Sequence, residues 1–201
     1  MDLRTIMCAS WDVAVRAISY QTAPVATQFF ADLLHARLRS TANNNQERGV
    51  DVGYWLMKSE PDAYSIDDLE QDKMEPWDGI RNYQARNMIR DDMEIGDQAF
   101  FYHSSCKVPA IVGIMKIASA AYPDPTQFDP KSKYYDAKSK EEDPRWMLVD
   151  VLFERKSARP ITLSELKQHP GLADFRLTQR GNRLSIFPVG DDHWNLILSL
   201  E

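Results

Sequence analysis

Short apolar segments separated by polar turns fill the chain from Tyr54 onward, and this spacing limits the folds available to it. The segments "YWLMK", "DQAFFYHS" and "AIVGIMKIAS" have the length and the β-branched or aromatic content of strands. The stretches between them are too short and irregular for the repeated strand and long helix of a doubly wound fold. We therefore predict a mixed α/β (α+β) domain built on a small curled sheet or barrel.

Three short helices are predicted between or after these strands. Ser65 precedes Asp68 by three residues, a loose capping signature that starts a helix in "SIDDLEQD". Residues 81–90 have helical spacing that places Asn82, Arg86 and Arg90 on one polar face. The chain closes with "DDHWNLILSL", which predicts an amphipathic helix.

The second half of the domain is predicted from three further patterns. The segment "RWMLVDVLFERK" has apolar residues on both alternating faces, which predicts a strand in the centre of the barrel. "TLSELKQ" predicts a short helix and "RLSIFPV" another strand. Residues 120–145 contain four prolines, four lysines and three tyrosines and predict a long surface loop. Such a loop is either functional or a solvated insertion.

Residues 1–52 differ in composition from the rest of the chain. They contain five arginines and no lysine, whereas all ten lysines occur at Lys58 or later. A near-helical apolar pattern from Phe29 to Leu38 is followed by the polar stretch "STANNNQERG", which is typical of a linker. We predict an extension over residues 1–52 and a domain over 53–201. The extension is an appended helix, a targeting segment or the result of an overlong start assignment.

The rest of the composition bears on compartment and cofactors. No apolar run approaches the roughly 20 residues of a membrane span, and no secretory signal is evident. Cys8 and Cys106 lack CxxC spacing, which favours a reducing compartment, and the four histidines lack ligand-like spacing. We therefore expect a cytoplasmic protein with no metal, cofactor or membrane partner, and favour a monomer.

Several long blocks occur in the order and spacing of a known family. "YWLMKSEPDAYSIDDL", "WDGIRNYQARNMIR", "GDQAFFYHS" and "RLSIFPV" resemble the EVE domain family over nearly all of the predicted domain. The resemblance implies the PUA-like fold shared with YTH and ASCH domains, a partly open barrel of about five to six strands decorated by short helices. It also implies binding of nucleic acid, DNA or RNA, with a modified cytosine or methylated base held in a pocket.

The resemblance assigns the core of that base pocket. In the related YTH pattern a "KS" pair and a later tryptophan contribute to the pocket, and Lys58, Ser59 and Trp77 occupy those places. An extruded base needs an aromatic face, which Trp77 supplies unless it only caps the barrel. Further pocket candidates for hydrogen bonds to the base edge or for the rim are Asn82, Gln84, Tyr102, Ser104 and Ser185.

Strand alternation restricts two neighbouring candidates. Tyr102 and His103 are consecutive on one predicted strand and face opposite sides, so at most one points into the pocket. We favour Tyr102, because a lone histidine is more often a structural hydrogen-bonding residue.

Three arginines are predicted to contact phosphate. Arg81 and Arg86 lie in the block "WDGIRNYQARNMIR", and Arg183 shares a face of the predicted strand "RLSIFPV" with Ser185. The first two are otherwise surface residues or ion-paired with Asp78 and Asp91. The whole chain has a net charge of −6, so phosphate binding depends on local positive potential and should be weak and salt-sensitive.

A rival function is hydrolysis of acylated nucleosides, as in ASCH relatives. Lys58 lies close to Glu60, and the two residues form a possible acid–base or nucleophile-activating pair. A hydrolase built on Ser104 and His103 is disfavoured, because adjacent strand residues diverge and no nucleophile elbow is present. We predict a binding module and not an enzyme.

Overall fold

The structure, a computed structural model, describes residues 52–201. Within these residues there are eight strands: β1 (Tyr54–Ser59), β2 (Met74–Pro76), β3 (Gln98–His103), β4 (Ala110–Ile117), β5 (Tyr122–Pro123), β6 (Met147–Leu148), β7 (Asp150–Thr162) and β8 (Ile186–Pro188). The same residues form four short helices: α1 (Ile66–Asp72), α2 (Tyr83–Asp91), α3 (Leu163–Gln168) and α4 (Asp191–Leu198). Two 3₁₀ turns, Pro125–Gln127 and Pro170–Leu172, complete the elements.

Six of the strands form one curled, partly open sheet in the order β2, β7, β4, β3, β1, β8. β1 and β3 run parallel, and every other neighbouring pair is antiparallel. Register shifts between β4 and its neighbours β3 and β7 mark irregularities that increase twist and bend the sheet. β5 and β6 pair in a separate two-stranded sheet. The predicted mixed α/β, PUA-like half-barrel is confirmed.

Alternating residues of β1 and β3 divide the core into two clusters. Trp55 and Phe101 belong to the cluster that includes α1, α2 and Trp77. Leu56 and Phe100 belong to the other cluster, together with residues of α3 and α4. Because successive strand side chains point to opposite faces, each strand supplies both cores.

The predicted helices are present, with small shifts of their ends. Ser65 and Asp68 form a complete capping box at the start of α1. α2 begins at Tyr83 instead of Arg81, because the Asn82 side chain accepts hydrogen bonds from the backbone N–H groups of Gln84 and Ala85 and caps the helix.

The prediction of one continuous central strand over "RWMLVDVLFERK" is wrong in two respects. Met147–Leu148 pair with β5 in the small sheet, and β7 begins only at Asp150. One face of β7 is open to solvent, with Leu152 41% exposed. Its apolar alternation therefore does not reflect burial on both faces.

The loop over residues 120–145 is pinned to the domain. Asp124 and Gln127 are both fully buried within it. The Gln127 side chain donates to the backbone carbonyls of Asp124 and Trp146 at 2.7 and 2.9 Å and accepts from the backbone N–H groups of Arg145 and Trp146. The solvated-insertion interpretation does not hold for a loop anchored in this way.

The predictions for residues 1–52 concern a segment outside the described residues, apart from its last position. Among residues 52–201, no helix has the length and apolar character needed to cross a membrane. The same part of the chain contains no group of three or more His, Cys, Asp or Glu side chains placed to hold a metal ion.

Candidate functional site

A cavity of about 880 Å³ opens where β1 and β3 end and β8 approaches. The backbone N–H of Lys58 donates to the carbonyl of Ser185 at 2.8 Å, and that of Ser104 donates to the carbonyl of Ser59 at 2.8 Å. These bonds hold the ends of three strands together, so that side chains distant in sequence converge at one edge of the sheet. The predicted site residues lining this cavity are Lys58, Ser59, Trp77, Arg81, Asn82, Ser104, Arg183 and Ser185.

Trp77 is both a core residue and a wall of the cavity. It is only 7% exposed, and its ring meets Phe101 edge to face with centroids 5.4 Å apart. Its backbone N–H donates to the carbonyl of Val149 at 2.8 Å, which fixes the residue just beyond β2. The burial of Trp77 agrees with the barrel-cap interpretation, and its place in the cavity wall leaves the aromatic-platform interpretation as a prediction.

Lys58 brings a positive charge to the floor of the cavity. Its Nζ lies 5.5 Å from the centroid of the Phe187 ring, and partial burial lowers the pKa of its ammonium group. Ser59 donates its hydroxyl to the carbonyl of Tyr64 at 2.7 Å, and Ser104 donates to the carbonyl of Ser59 at 3.3 Å. The two serines therefore brace the cavity edge and keep free lone pairs for a ligand.

Asn82 and Ser185 offer hydrogen-bonding groups to the cavity. The Asn82 Oδ1 is committed to the cap of α2 at 2.9 and 3.1 Å, which leaves the amide NH₂ as a donor. Among the described residues the hydroxyl of Ser185 has no hydrogen-bond partner, although it is partly exposed and can reach water or a ligand.

Two carboxylates that sequence reasoning did not select also line the cavity. Desolvation and nearby carboxylates raise the pKa of Glu75, and desolvation and repulsion from Asp124 raise the pKa of Asp78. They add acceptors to a wall otherwise rich in donors. Glu75 lies in β2 and Asp78 two residues after it, and neither position gave a signal in the sequence, because acidic residues are common throughout this chain.

Arg81 is committed to contacts within the domain. Its guanidinium donates to the Asp124 carboxylate at 2.7 Å, to the Thr126 hydroxyl at 2.9 Å and to the Tyr134 carbonyl at 2.7 Å. Burial by itself raises the pKa of Asp124, but hydrogen bonds from Thr126, Arg81 and the Gly79 N–H outweigh it, so that pKa lies below its usual value. Arg81 therefore forms an ion pair, as one interpretation of the sequence held, but its partner is Asp124 and not Asp78.

Tyr134 joins the cavity from the pinned loop and was not selected from the sequence. Gly79 has φ +75°, and a Cβ at this position would stand 2.5 Å from the Tyr134 ring. The glycine thus permits both the turn and the close approach of the tyrosine. The tyrosines of a proline-rich loop were the available signal, but no local pattern shows where such a loop folds.

Three of the predicted residues do not line this cavity. Tyr102 is 3% exposed and lies in the core cluster on the opposite face of β3. Gln84 lines a neighbouring cleft. Arg86 donates to the carbonyl of Arg145 at 2.6 Å and lies 5.2 Å from the Tyr83 ring centroid, while Asp91 pairs with Arg90.

His103 has the structural role considered for it. Its Nε2 accepts a hydrogen bond of 3.2 Å from the backbone N–H of Ile66, the first residue of α1. Burial lowers the pKa of this imidazole, which favours the neutral form that the hydrogen bond requires. Neither member of the Tyr102 and His103 pair therefore points into the cavity as a ligand group.

Comparison with known proteins identifies the fold and its relatives. The EVE domain family model matches residues 53–200. Thymocyte nuclear protein 1 of Gallus gallus is 42% identical over 184 residues, covering 82% of this chain and 75% of the relative, and the Mus musculus protein is 47% identical over 167 residues, covering 74% and 73%.

Solved structures agree with this assignment. A Pseudomonas syringae protein superposes with a TM-score of 0.71 and 50% identity, covering 73% of this chain and 98% of that one. The human THYN1 protein in complex with DNA containing 5-methylcytosine superposes with a TM-score of 0.70 and 44% identity, covering 74% and 96%. The chain belongs to the EVE domain family.

Proposed function

We propose that this protein binds nucleic acid and reads one modified base extruded into the cavity beside Trp77, with 5-methylcytosine in DNA as the first candidate. The observation that carries the proposal is the similarity to a solved relative bound to DNA containing 5-methylcytosine, at 44% identity over 96% of that chain. A shared fold at this level of identity supports a ligand site at a corresponding place in this chain.

The cavity has the size and lining that such a ligand needs. Its volume of about 880 Å³ falls within the range of about 300–1,000 Å³ typical of small-molecule sites. Trp77 gives it an aromatic wall, and a base held against an aromatic side chain gains roughly 1–3 kcal/mol. This gain is comparable with the few kcal/mol needed to unstack a base.

The polar groups of the cavity match both kinds of atom on a cytosine edge. Cytosine presents an amino group that donates and ring and carbonyl atoms that accept. Lys58 and the Asn82 amide are donors for the accepting atoms, while Asp78 and Glu75 are acceptors for the amino group. A wrong base would leave some of these groups unpaired, which is costly in a partly desolvated site.

We propose a binding module without catalysis. Lys58 and Glu60, the pair considered for an ASCH-like hydrolase, both line the cavity but form no ion pair within residues 52–201. Incubation with acylated and methylated nucleosides, followed by mass spectrometry, tests this point. Release of a deacylated product would assign an enzymatic function.

The central experiment is a titration with matched oligonucleotides that carry either 5-methylcytosine or cytosine, as DNA and as RNA, single-stranded and duplex. Burial of one methyl group is worth about 0.8 kcal/mol, or roughly fourfold in affinity, and aromatic enclosure increases this preference. Equal affinity for modified and unmodified strands in all formats would refute the reader proposal. A parallel set with methylated adenine tests the choice of base.

We also propose a subcellular localisation and an oligomeric state. Cysteine usage supports a reducing compartment, for which we propose the cytoplasm, and we propose a monomer. Fluorescence microscopy of the tagged full chain and light scattering of the purified protein test these two statements.

A further inference from the structure

We propose that a cleft beside the base cavity binds the nucleic-acid phosphates next to the extruded nucleotide, through Arg176, Arg180 and Arg183. This inference rests on the proposed function and adds a phosphate-binding site to it. Arg183 was predicted from the sequence to contact phosphate, whereas Arg176 and Arg180 were not selected.

The cleft adjoins the base cavity. It has a volume of about 560 Å³, and Asn82 and Arg183 line both spaces. A strand whose base enters the larger cavity therefore has its adjacent backbone next to this cleft. Its other lining residues are Gln84, Arg176, Gln179, Arg180, Gly181, Asn182 and Leu184.

The two spaces differ in charge. The lining of the base cavity is mixed, with carboxylates from Glu60, Glu75 and Asp78 beside the basic side chains of Lys58, Arg81, Lys133 and Arg183. The lining of the neighbouring cleft contains three arginines and no acidic residue. The charge pattern thus separates a mixed polar site for a base from a positive site for phosphate.

The arginines of the cleft are available, unlike most arginines of this domain. Within residues 52–201, the side chains of Arg176, Arg180 and Arg183 make no ion pair and donate no hydrogen bond, although the Arg176 guanidinium lies 5.9 Å from the Phe187 ring centroid. Five other arginines in this part of the chain pair with carboxylates: Arg81, Arg90, Arg145, Arg155 and Arg159.

The loop that presents these arginines is braced. The Asn182 side chain donates to the carbonyl of Arg176 at 2.9 Å and accepts from the backbone N–H of Leu184 at 3.1 Å. Thr178 donates to the carbonyls of Leu172 and Phe175 at 2.9 and 2.8 Å. An anchored loop loses less conformational entropy when a ligand binds, which favours phosphate contact by its side chains.

The test compares Arg176→Gln, Arg180→Gln and the double variant with Arg159→Gln, an equal charge change at an exposed arginine outside both cavities. Each protein is titrated with 5-methylcytosine and cytosine oligonucleotides from 50 to 200 mM salt. Each lost duplex phosphate contact reduces the slope of log affinity against log salt by about 0.9. The factor by which affinity falls between 50 and 200 mM salt should therefore be about 3.5-fold smaller in each single variant than in wild type, and about 12-fold smaller in the double variant.

The expected result is an equal loss of affinity for the two oligonucleotides, an unchanged preference between them, and an Arg159→Gln control that behaves as wild type. If the arginine variants bind both oligonucleotides with the wild-type salt slope, the phosphate site in the cleft is refuted and the proposed reader function is not. Variants that lose only the modified oligonucleotide also overturn the phosphate site, because the arginines would then contact the base. A wild type without any preference overturns the reader function, and the salt slopes still decide the cleft.

An Arg180→Lys variant separates charge from folding. Arg180 is exposed, so the change should leave the melting temperature unaltered and retain most of the salt slope. Loss of the slope in this variant would contradict a phosphate contact made chiefly through charge.

Discussion

Replacing Arg81 with alanine should destabilise the domain, whereas the same change at Arg183 should mainly weaken binding. Both side chains line the base cavity, but only Arg81 has a buried carboxylate partner, with exposed side-chain fractions of 21% for Arg81 and 0% for Asp124. Removing one member of a buried pair leaves an uncompensated charge. The matched substitutions therefore separate a structural arginine from a ligand-binding one.

The magnitude follows from this burial. Breaking a buried pair costs about 3–5 kcal/mol, and because Arg81 is partly exposed we expect roughly 2–4 kcal/mol of lost unfolding free energy. A domain of this size shifts its melting temperature by about 2–4 °C per kcal/mol, so Arg81→Ala should melt roughly 5–15 °C below wild type. Arg183 is exposed and unpaired among the described residues, so Arg183→Ala should stay within about 0.5 kcal/mol.

The assay is urea unfolding at several pH values of wild type, Arg81→Ala, Asp124→Asn and the variant that carries both changes. Because the folded-state pKa of Asp124 is depressed, its contribution is present above the unfolded value of 3.8 and is lost as pH falls through the folded pKa. The effects of the two single changes should be non-additive, since the residues are in contact. An Arg81→Ala protein with wild-type stability and a flattened salt slope would refute a structural role for the Arg81–Asp124 pair and favour the phosphate contact predicted from the sequence.

Three further outcomes are expected. Trp77→Ala should cost about 3–5 kcal/mol of stability as well as affinity, so Trp77→Phe, which keeps an aromatic wall, is the variant in which to measure partial loss of oligonucleotide binding. His103 has a lowered pKa, so its stabilising contribution is present above the unfolded value of 6.5 and falls as pH drops below it; His103→Gln should remove that part of the pH dependence in calorimetry. Deleting residues 1–52 should leave the melting temperature and oligonucleotide binding largely unchanged, because the family match begins at residue 53, and a large drop in melting temperature would assign the extension to the core.

The local parts of the fold were predictable because they depend on neighbouring residues. The capping box of Ser65 and Asp68 and the strand "YWLMK" lie within a few positions of each other, and both are present. Strand alternation also gave the correct rule that Tyr102 and His103 face opposite sides. It did not show which face holds the cavity, since that depends on the packing of Phe101 against Trp77.

The cavity wall was less predictable because its members are far apart in sequence. Asp124 and Tyr134 meet Arg81 across 43 and 53 positions, and neither belongs to a periodic pattern. Asn82 was selected as a base contact and placed within the predicted helix, but its main visible role is to cap α2. Helical spacing alone placed Arg86 beside the site, whereas contact with Arg145 holds it elsewhere.

The distribution of ion pairs explains how a chain with a net charge of −6 can bind a polyanion. An arginine that already contacts a carboxylate contributes little to phosphate binding, and an unpaired one releases counterions when a phosphate arrives. If the three arginines of the cleft supply the phosphate contacts, the slope of log affinity against log salt should be about −2.7 for duplex and about −2 for single strands. A much steeper slope would mean that lysines outside the cleft, such as Lys133 at the cavity wall, add contacts of their own. The salt-dependent part of the affinity should therefore depend on the cleft arginines and the base preference on the cavity, so that salt changes the first while leaving the second intact.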